Sequence, residues 1–152
     1  MKTLIVYFSA EGHTGKLAKD LSEITKADLF EIVPEKPYSA SDIRWTNPLA
    51  RCNREKFGKK DVAFTGKVDA WEQYEAVYLG FPIWYYGAPN IVNSFCKTYD
   101  WTGKKLCLFA TSGGSDIGKT AEKLKPYLKG DPVITWAGVC RAASEIKPIP
   151  AE

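Results

Sequence analysis

The sequence predicts an α/β protein built on an open, parallel sheet. Three observations carry this. Five short apolar runs, Leu4 to Phe8, Leu29 to Val33, Ala76 to Gly80, Leu106 to Ala110 and Val133 to Val139, lack the alternation of half-exposed strands and fit strands covered on both faces. Amphipathic stripes with helical spacing lie between them. The resulting order is strand, helix, strand, long connection, strand, helix, strand, helix, strand, which calls for right-handed crossovers between helix layers.

Each element has a local cause. The first run follows Lys2 and stops at Ser9 after about six residues, too short for a secretory signal core or a membrane span, so a cytoplasmic chain is expected. Beyond Thr14, the residues Leu17, Ala18, Leu21 and Ile24 form one helical stripe. Ile91, Val92 and Phe95 form another behind Pro89, whose fixed φ suits a first turn. Ala121, Leu124 and Leu128 form a third, which Pro126 should kink or end. The connection from Pro34 to Tyr74 is too long for a plain crossover, and Asn47-Pro48, Gly58 and Gly66 divide it. Trp71 and Tyr74 are expected to pin it to the sheet. After the last run only Arg141 to Glu152 remain, with Pro148 and Pro150 among them, so a full closing helix has no room. One face of the sheet is then expected to be thinly covered, a hint of a homodimer.

Composition narrows the function. At 152 residues the chain is expected to be one domain spanning 1–152, and 45% apolar with 13% aromatic residues can fill its core. Twenty-one basic residues against eighteen acidic ones leave +3, spread along the chain, which argues against nucleic-acid and membrane partners. The four cysteines, Cys52, Cys96, Cys107 and Cys140, show no C-x-x-C spacing and have only His13 to join them, so reduced thiols are expected rather than a metal centre. Cys107 and Cys140 sit in apolar runs, where a thiol behaves as a small hydrophobe. Lys56, Lys59 and Lys60 read as a solvated stretch of the connection.

In open α/β sheets a ligand sits beyond the carboxyl ends of the strands, so the loops there matter most. Ser9-Ala10-Glu11-Gly12-His13-Thr14 leads from the first run into a helix, and its hydroxyls and free N–H groups suit a phosphate, with an ordinary N-cap by Ser9 or Thr14 as the alternative. His13, as the single histidine, is a candidate general acid, but its place in the turn favours use of its N–H, and no catalytic residue is assigned. Gly80 to Pro89 carries three consecutive aromatics, Trp84, Tyr85 and Tyr86, which would either stack on a flat ligand or pack the loop against the long connection. From Gly113 to Thr120 the chain matches the pattern G-x-x-x-x-G-K-[ST], yet no apolar run ends in the aspartate that would hold Mg²⁺. The gentler reading is a loop of small residues that lets its backbone approach a planar ligand.

Taken together, Tyr7-Phe8-Ser9, Gly12-His13-Thr14, Asp28-Leu29-Phe30-Glu31-Ile32, Gly80-Phe81-Pro82-Ile83-Trp84 and Thr111-Ser112-Gly113-Gly114-Ser115 give the chain a likeness to one family. It resembles the flavodoxins, particularly their short bacterial members. The resemblance implies a flavodoxin-like doubly wound five-stranded parallel sheet in the order 2-1-3-4-5, here with a truncated last helix, and FMN at the strand ends. By that likeness Ser9, Gly12, His13 and Thr14 would bind the phosphate, with Glu11 in the same turn. Pro82, Ile83, Trp84 and Tyr85 would meet the ring and ribityl chain ahead of Gly87. Thr111, Ser112, Gly113 and Gly114 would meet the far edge of the isoalloxazine.

The chain also departs from the family's pattern. Glu11 stands where the phosphate turn usually has threonine, and a carboxylate there is repulsive unless it points to solvent. The pI of 8.6 differs from that of the acidic electron carriers. The loop after the fourth run lacks an aromatic to cover the second flavin face, which leaves it open unless Tyr38 or Trp45 closes it. The function implied is an FMN-binding redox protein transferring electrons through the flavin between a partner protein or NAD(P)H and an acceptor. One alternative is an NAD(P)H-dependent FMN or quinone reductase with an open flavin face. The other is a cofactor-free interaction module. A response regulator would need an acidic cluster where Ser9 and Gly80 stand.

Overall fold

The computed structural model describes residues 1–43, 46, 50–52, 55, 61–112 and 114–151. Trp45, Lys56, Lys59, Lys60 and Gly113 lie outside them, as do the Asn47-Pro48 and Gly58 breaks. The strands are β1 (Thr3–Tyr7), β2 (Asp28–Glu31), β3 (Val33–Pro34), β4 (Phe64–Thr65), β5 (Ala76–Pro82), β6 (Lys105–Thr111) and β7 (Val133–Val139). The helices described in full are α1 (His13–Thr25), α2 (Asn90–Thr98) and α3 (Thr120–Leu124). Five strands form one parallel sheet in the order β2-β1-β5-β6-β7, the expected arrangement with the strands renumbered.

The interior strands follow from their sequence. Leu4 and Val6 of β1, Val77 and Leu79 of β5, and Leu106 and Leu108 of β6 are buried on one face, and Ile5, Tyr78 and Cys107 on the other, between two layers. β2 differs: it is an edge, Leu29 is 42% exposed, and its apolar character does not report double coverage. The predicted run Leu29 to Val33 also divides. The Ile32 N–H still donates to the Tyr7 carbonyl at 2.7 Å, and Val33–Pro34 then pairs antiparallel with Phe64–Thr65 in a small ribbon. Inside the sheet Gly80 lies opposite Phe109, whose ring crosses it so closely that a Cβ would stand 2.2 Å from the ring.

One face of the sheet is covered by α2, α3 and the turn Trp71–Gln73, around Phe95, Trp101 and Trp71. Trp71 and Tyr74 act as the expected anchors: the indole N–H of Trp71 donates to the Asp100 carbonyl at 2.6 Å and the Tyr74 hydroxyl to Asp28 at 2.8 Å. Pro126 ends α3, which passes at Lys125 into a single 3-10 turn. The other face is covered by α1, through Leu17, Ala18 and Leu21, and by the C-terminal tail. As expected, the tail forms no closing helix, only a turn at Ala143–Glu145. It still covers the face. Ile146 and Ile149 are buried, and the Ile149 N–H donates to the Tyr78 hydroxyl at 2.8 Å, so the thin cover expected from the missing helix is corrected by the tail. Among the described residues no helix is long and apolar enough to cross a membrane.

Candidate functional site

The carboxyl ends of β1, β5, β6 and β7 open onto a cavity of about 1050 Å³. At its first wall Gly12 caps α1 with φ +95°, a left-handed conformation that glycine adopts without strain. No side chain caps this helix. The first helical bond is Lys16 N–H to the Gly12 carbonyl, so the N–H groups of His13, Thr14 and Gly15 have no acceptor among the described residues. Ser9 Oγ instead accepts from the Gly12 N–H at 3.0 Å, and the N-cap by Ser9 or Thr14 is not formed. Thr14 also joins two of the loops. It is buried, and its hydroxyl lies 2.8 Å from that of Thr111, so the side chain ties the first loop to the third and leaves its N–H for a ligand. Glu11 and His13 extend into solvent, 62% and 78% exposed, with 3.9 Å between Oε2 and Nε2.

The second wall is a tight hairpin. The Ile83 N–H donates to the Thr111 carbonyl at 2.8 Å, which joins this loop to the third. Trp84 and Gly87 then exchange two backbone hydrogen bonds, of 2.8 and 3.3 Å, around a two-residue turn. Its central residues Tyr85 and Tyr86 have φ of 53° and 65°, the signature of a type I′ turn. Burial, and then the Cys52 thiol beside it, push the Tyr85 phenol up to about 12. Trp84 packs edge-on against Phe8 and Tyr38, with ring centroids 5.8 and 5.4 Å away. Trp84 therefore packs on the connection, as one of the two readings expected, and also lines the cavity. Tyr38 does not line it. Its ring lies 4.0 Å from the Arg51 guanidinium and its hydroxyl donates to Glu55, which also accepts from Arg51 Nε at 2.8 Å. The expected lid is thus a buttress behind Trp84, and the other candidate, Trp45, lies outside the described residues.

In the third wall Ser112 Oγ accepts from the N–H groups of Gly114 and Ser115, at 3.2 and 2.7 Å. The match to a nucleotide-binding loop does not carry further. The Thr120 hydroxyl, which that loop would turn to a metal, is buried and donates to the Ile117 carbonyl at 2.5 Å, and the helix behind it has only five residues.

Of the expected site residues, Ser9, Glu11, His13, Thr14, Pro82, Ile83, Trp84, Tyr85, Thr111, Ser112 and Gly114 line one cavity. Gly12 and Gly87 shape its turns without forming its wall, and Gly113 is outside the described residues. The fold adds Lys16 and Asp20 of α1, Ile43 and Cys52 of the connection, and Arg141 at the end of β7. Lys16 Nζ pairs with Asp20 at 3.0 Å. These residues are far apart in sequence. The sequence signal for Arg141 is the rule that every strand end at this edge contributes a loop.

No curated protein matches the chain. Among solved structures, a protein of Bacteroides eggerthii DSM 20697 proposed to be a flavoprotein is 35% identical, over 92% of this chain and 88% of its own, with a TM-score of 0.86. A similar protein of Bacteroides uniformis ATCC 8492 is 36% identical, over 92% of each chain, with a TM-score of 0.80. A flavoprotein of Lactobacillus acidophilus NCFM, solved in complex with FMN, is 26% identical over 90% of this chain and 91% of its own, with a TM-score of 0.68. The flavodoxin family matches residues 2–139, and with the sheet order and the strand-end cavity in agreement, this chain belongs to the flavodoxin family.

Proposed function

We propose that the protein binds FMN in the strand-end cavity and transfers electrons through it in the cytoplasm. One observation carries this reading: three N–H groups that have no acceptor among the described residues, those of His13, Thr14 and Gly15, stand at the start of a thirteen-residue helix beside the cavity. Such a helix start attracts a dianion through its free donors and its dipole. The residues present fit the cofactor. Ser9, Gly12 and the α1 N–H groups would hold the phosphate, and the exposed Glu11 carboxylate is free to stay in solvent. Pro82, Ile83, Trp84 and Tyr85 would border the ring on one side, with Thr111, Ser112 and Gly114 on the other.

Bound FMN would supply the electron-carrying ring, and the protein its orientation and surroundings. The chain's own part is positional. The Phe8–Tyr38–Trp84 cluster fixes the indole, and the Thr14–Thr111 contact and the Ile83–Thr111 bond hold the three loops in register. No acid or base is assigned to a catalytic role. The test is to add FMN to the purified protein, remove free ligand, and record the visible spectrum and flavin fluorescence. A yellow protein with quenched fluorescence is expected, and unquenched flavin at micromolar concentration would favour the interaction module instead.

A second reading, an NAD(P)H-dependent FMN or quinone reductase, is favoured by the position of Tyr38 behind Trp84, away from the cavity. Anaerobic mixing of the loaded protein with NADPH separates the two. Rapid bleaching without a partner protein supports the reductase, and none supports the carrier.

A further inference from the structure

Behind the aromatic wall of the cavity the long connection is held together by one side chain. Arg51 Nε donates to Glu55 at 2.8 Å, and its Nη1 donates to the carbonyls of Lys36 and Pro37, at 2.5 and 3.2 Å. The same guanidinium lies 4.0 Å from the centroid of the Tyr38 ring, whose hydroxyl donates to the other Glu55 oxygen. Glu55 is tied in turn to the start of α2, where Asn90 Nδ2 donates to its backbone carbonyl at 2.6 Å. The two charged side chains are only 11% and 14% exposed. A pair so placed adds little net stability, because lost hydration offsets the attraction, and what it can supply is a fixed geometry.

That geometry reaches the cavity through Trp84. Trp84 lines the cavity, whereas Arg51, Glu55 and Tyr38 do not. The two Trp84–Gly87 bonds fix the backbone of the hairpin, so the direction of the indole is left to the rings packed on it. Phe8 meets it edge-on from one side and is held by the sheet, buried and bonded through its N–H to the Gly80 carbonyl at 3.0 Å. Tyr38 meets it from the connection, with ring centroids 5.4 Å apart, and is seated by Arg51 and Glu55. A lysine would keep the charge of Arg51, but neither the planar face on Tyr38 nor the fork that reaches Glu55 and two carbonyls at once. Resting on the flavin reading above, we infer that Arg51 is a positioning residue for the cofactor: through Tyr38 it sets the direction of the Trp84 indole in the cavity wall, and so how closely a flavin ring is held there.

The experiment compares the wild type with Arg51→Lys and Arg51→Met by NMR of the tryptophan indoles, first without ligand and then on titration with FMN. Arg51→Lys keeps Glu55 paired, so it gives the readout even where Arg51→Met fails to fold. In the flavin-free protein the Trp84 indole resonance should move in each variant, while those of Trp71 and Trp101, whose rings pack on each other 4.8 Å apart, should stay in place. FMN affinity should fall about three- to tenfold, with the visible circular dichroism of the bound flavin altered. In a Tyr38→Leu background, where the link is already cut, Arg51→Lys should change neither the Trp84 resonance nor the affinity further. An unmoved Trp84 indole, a shift of all three indoles alike, an unchanged FMN affinity, or an Arg51→Lys loss that persists in the Tyr38→Leu background overturns the inference. A wild type that takes up no FMN overturns the flavin reading separately, and the flavin-free indole comparison in the two backgrounds still decides whether Arg51 sets Trp84.

Discussion

At the amino-terminal edge of the sheet Lys104 is 5% exposed, yet its ammonium donates to the carbonyls of Trp71 and Tyr74, at 3.0 and 2.5 Å, and lies 4.7 Å from the Trp71 ring centroid. At the carboxyl edge the N–H groups of His13, Thr14 and Gly15 find no such partner among the described residues, and two tyrosines hold left-handed backbone. The first edge satisfies its buried polar groups, as a region selected for stability does. The second leaves donors open and keeps strain, as a region selected for binding does. The strands hold the two edges apart: Gly80 and Phe109 interlock near the carboxyl end of the ladder, and Trp101 and Lys104 close its beginning.

The largest effect is expected where the first edge is opened. Trp101 is fully buried and its indole N–H donates to the Cys96 carbonyl at 2.9 Å, so Trp101→Ala should cost about 3–5 kcal/mol in denaturant unfolding. Its FMN affinity, measured where the variant is still folded, should not change. Lys104→Met leaves the Trp71 and Tyr74 carbonyls without their donor and should cost about 1–3 kcal/mol, again without effect on the cavity. A loss of flavin binding in either folded variant would break the separation of the two edges.

Gly12→Ala should cost about 1 kcal/mol by forcing φ +95° on a residue with a Cβ, although that Cβ would meet nothing within 4 Å. Unlike the two changes above, it should also weaken FMN binding, because it disturbs the turn that presents the open N–H groups. Alkaline pH acts on both edges. Burial raises the Tyr74 phenol, beside the Asp28 carboxylate, and the Tyr85 phenol to about 12, from an ordinary value of 10.0. The neutral forms are therefore favoured by folding. Their contribution is fully present below pH 10 and lost as pH rises toward 12, so unfolding and tyrosinate absorbance should rise together in that window. The smallest effect is expected at Glu11. Removing its exposed charge in Glu11→Gln should tighten FMN binding about two- to threefold at low salt and not at high salt.

Much of this was legible in the chain. β5 and β6 read as buried strands because they are buried on both faces, and Pro89 and Pro126 marked the start of α2 and the end of α3. β2 read as buried because composition does not distinguish an edge strand rich in Leu and Phe from a central one. The β3–β4 ribbon has two residues per strand, too few for a periodicity to be seen. In the site, the loops at Ser9, Pro82 and Thr111 were legible because each follows a strand directly. Lys16, Ile43, Cys52 and Arg141 were not, because they reach the cavity through tertiary packing. The type I′ turn was hidden for a different reason: Tyr85-Tyr86 carries none of the Asn-Gly chemistry that announces such a turn.

The most direct test of the open edge is an amide NMR titration of the full chain with FMN and, in parallel, with riboflavin. The His13, Thr14 and Gly15 amides should shift strongly with FMN and little with riboflavin, which lacks the phosphate, while the Trp84 indole responds to both. Unmoved amides at these three positions in the presence of saturating FMN would contradict the account.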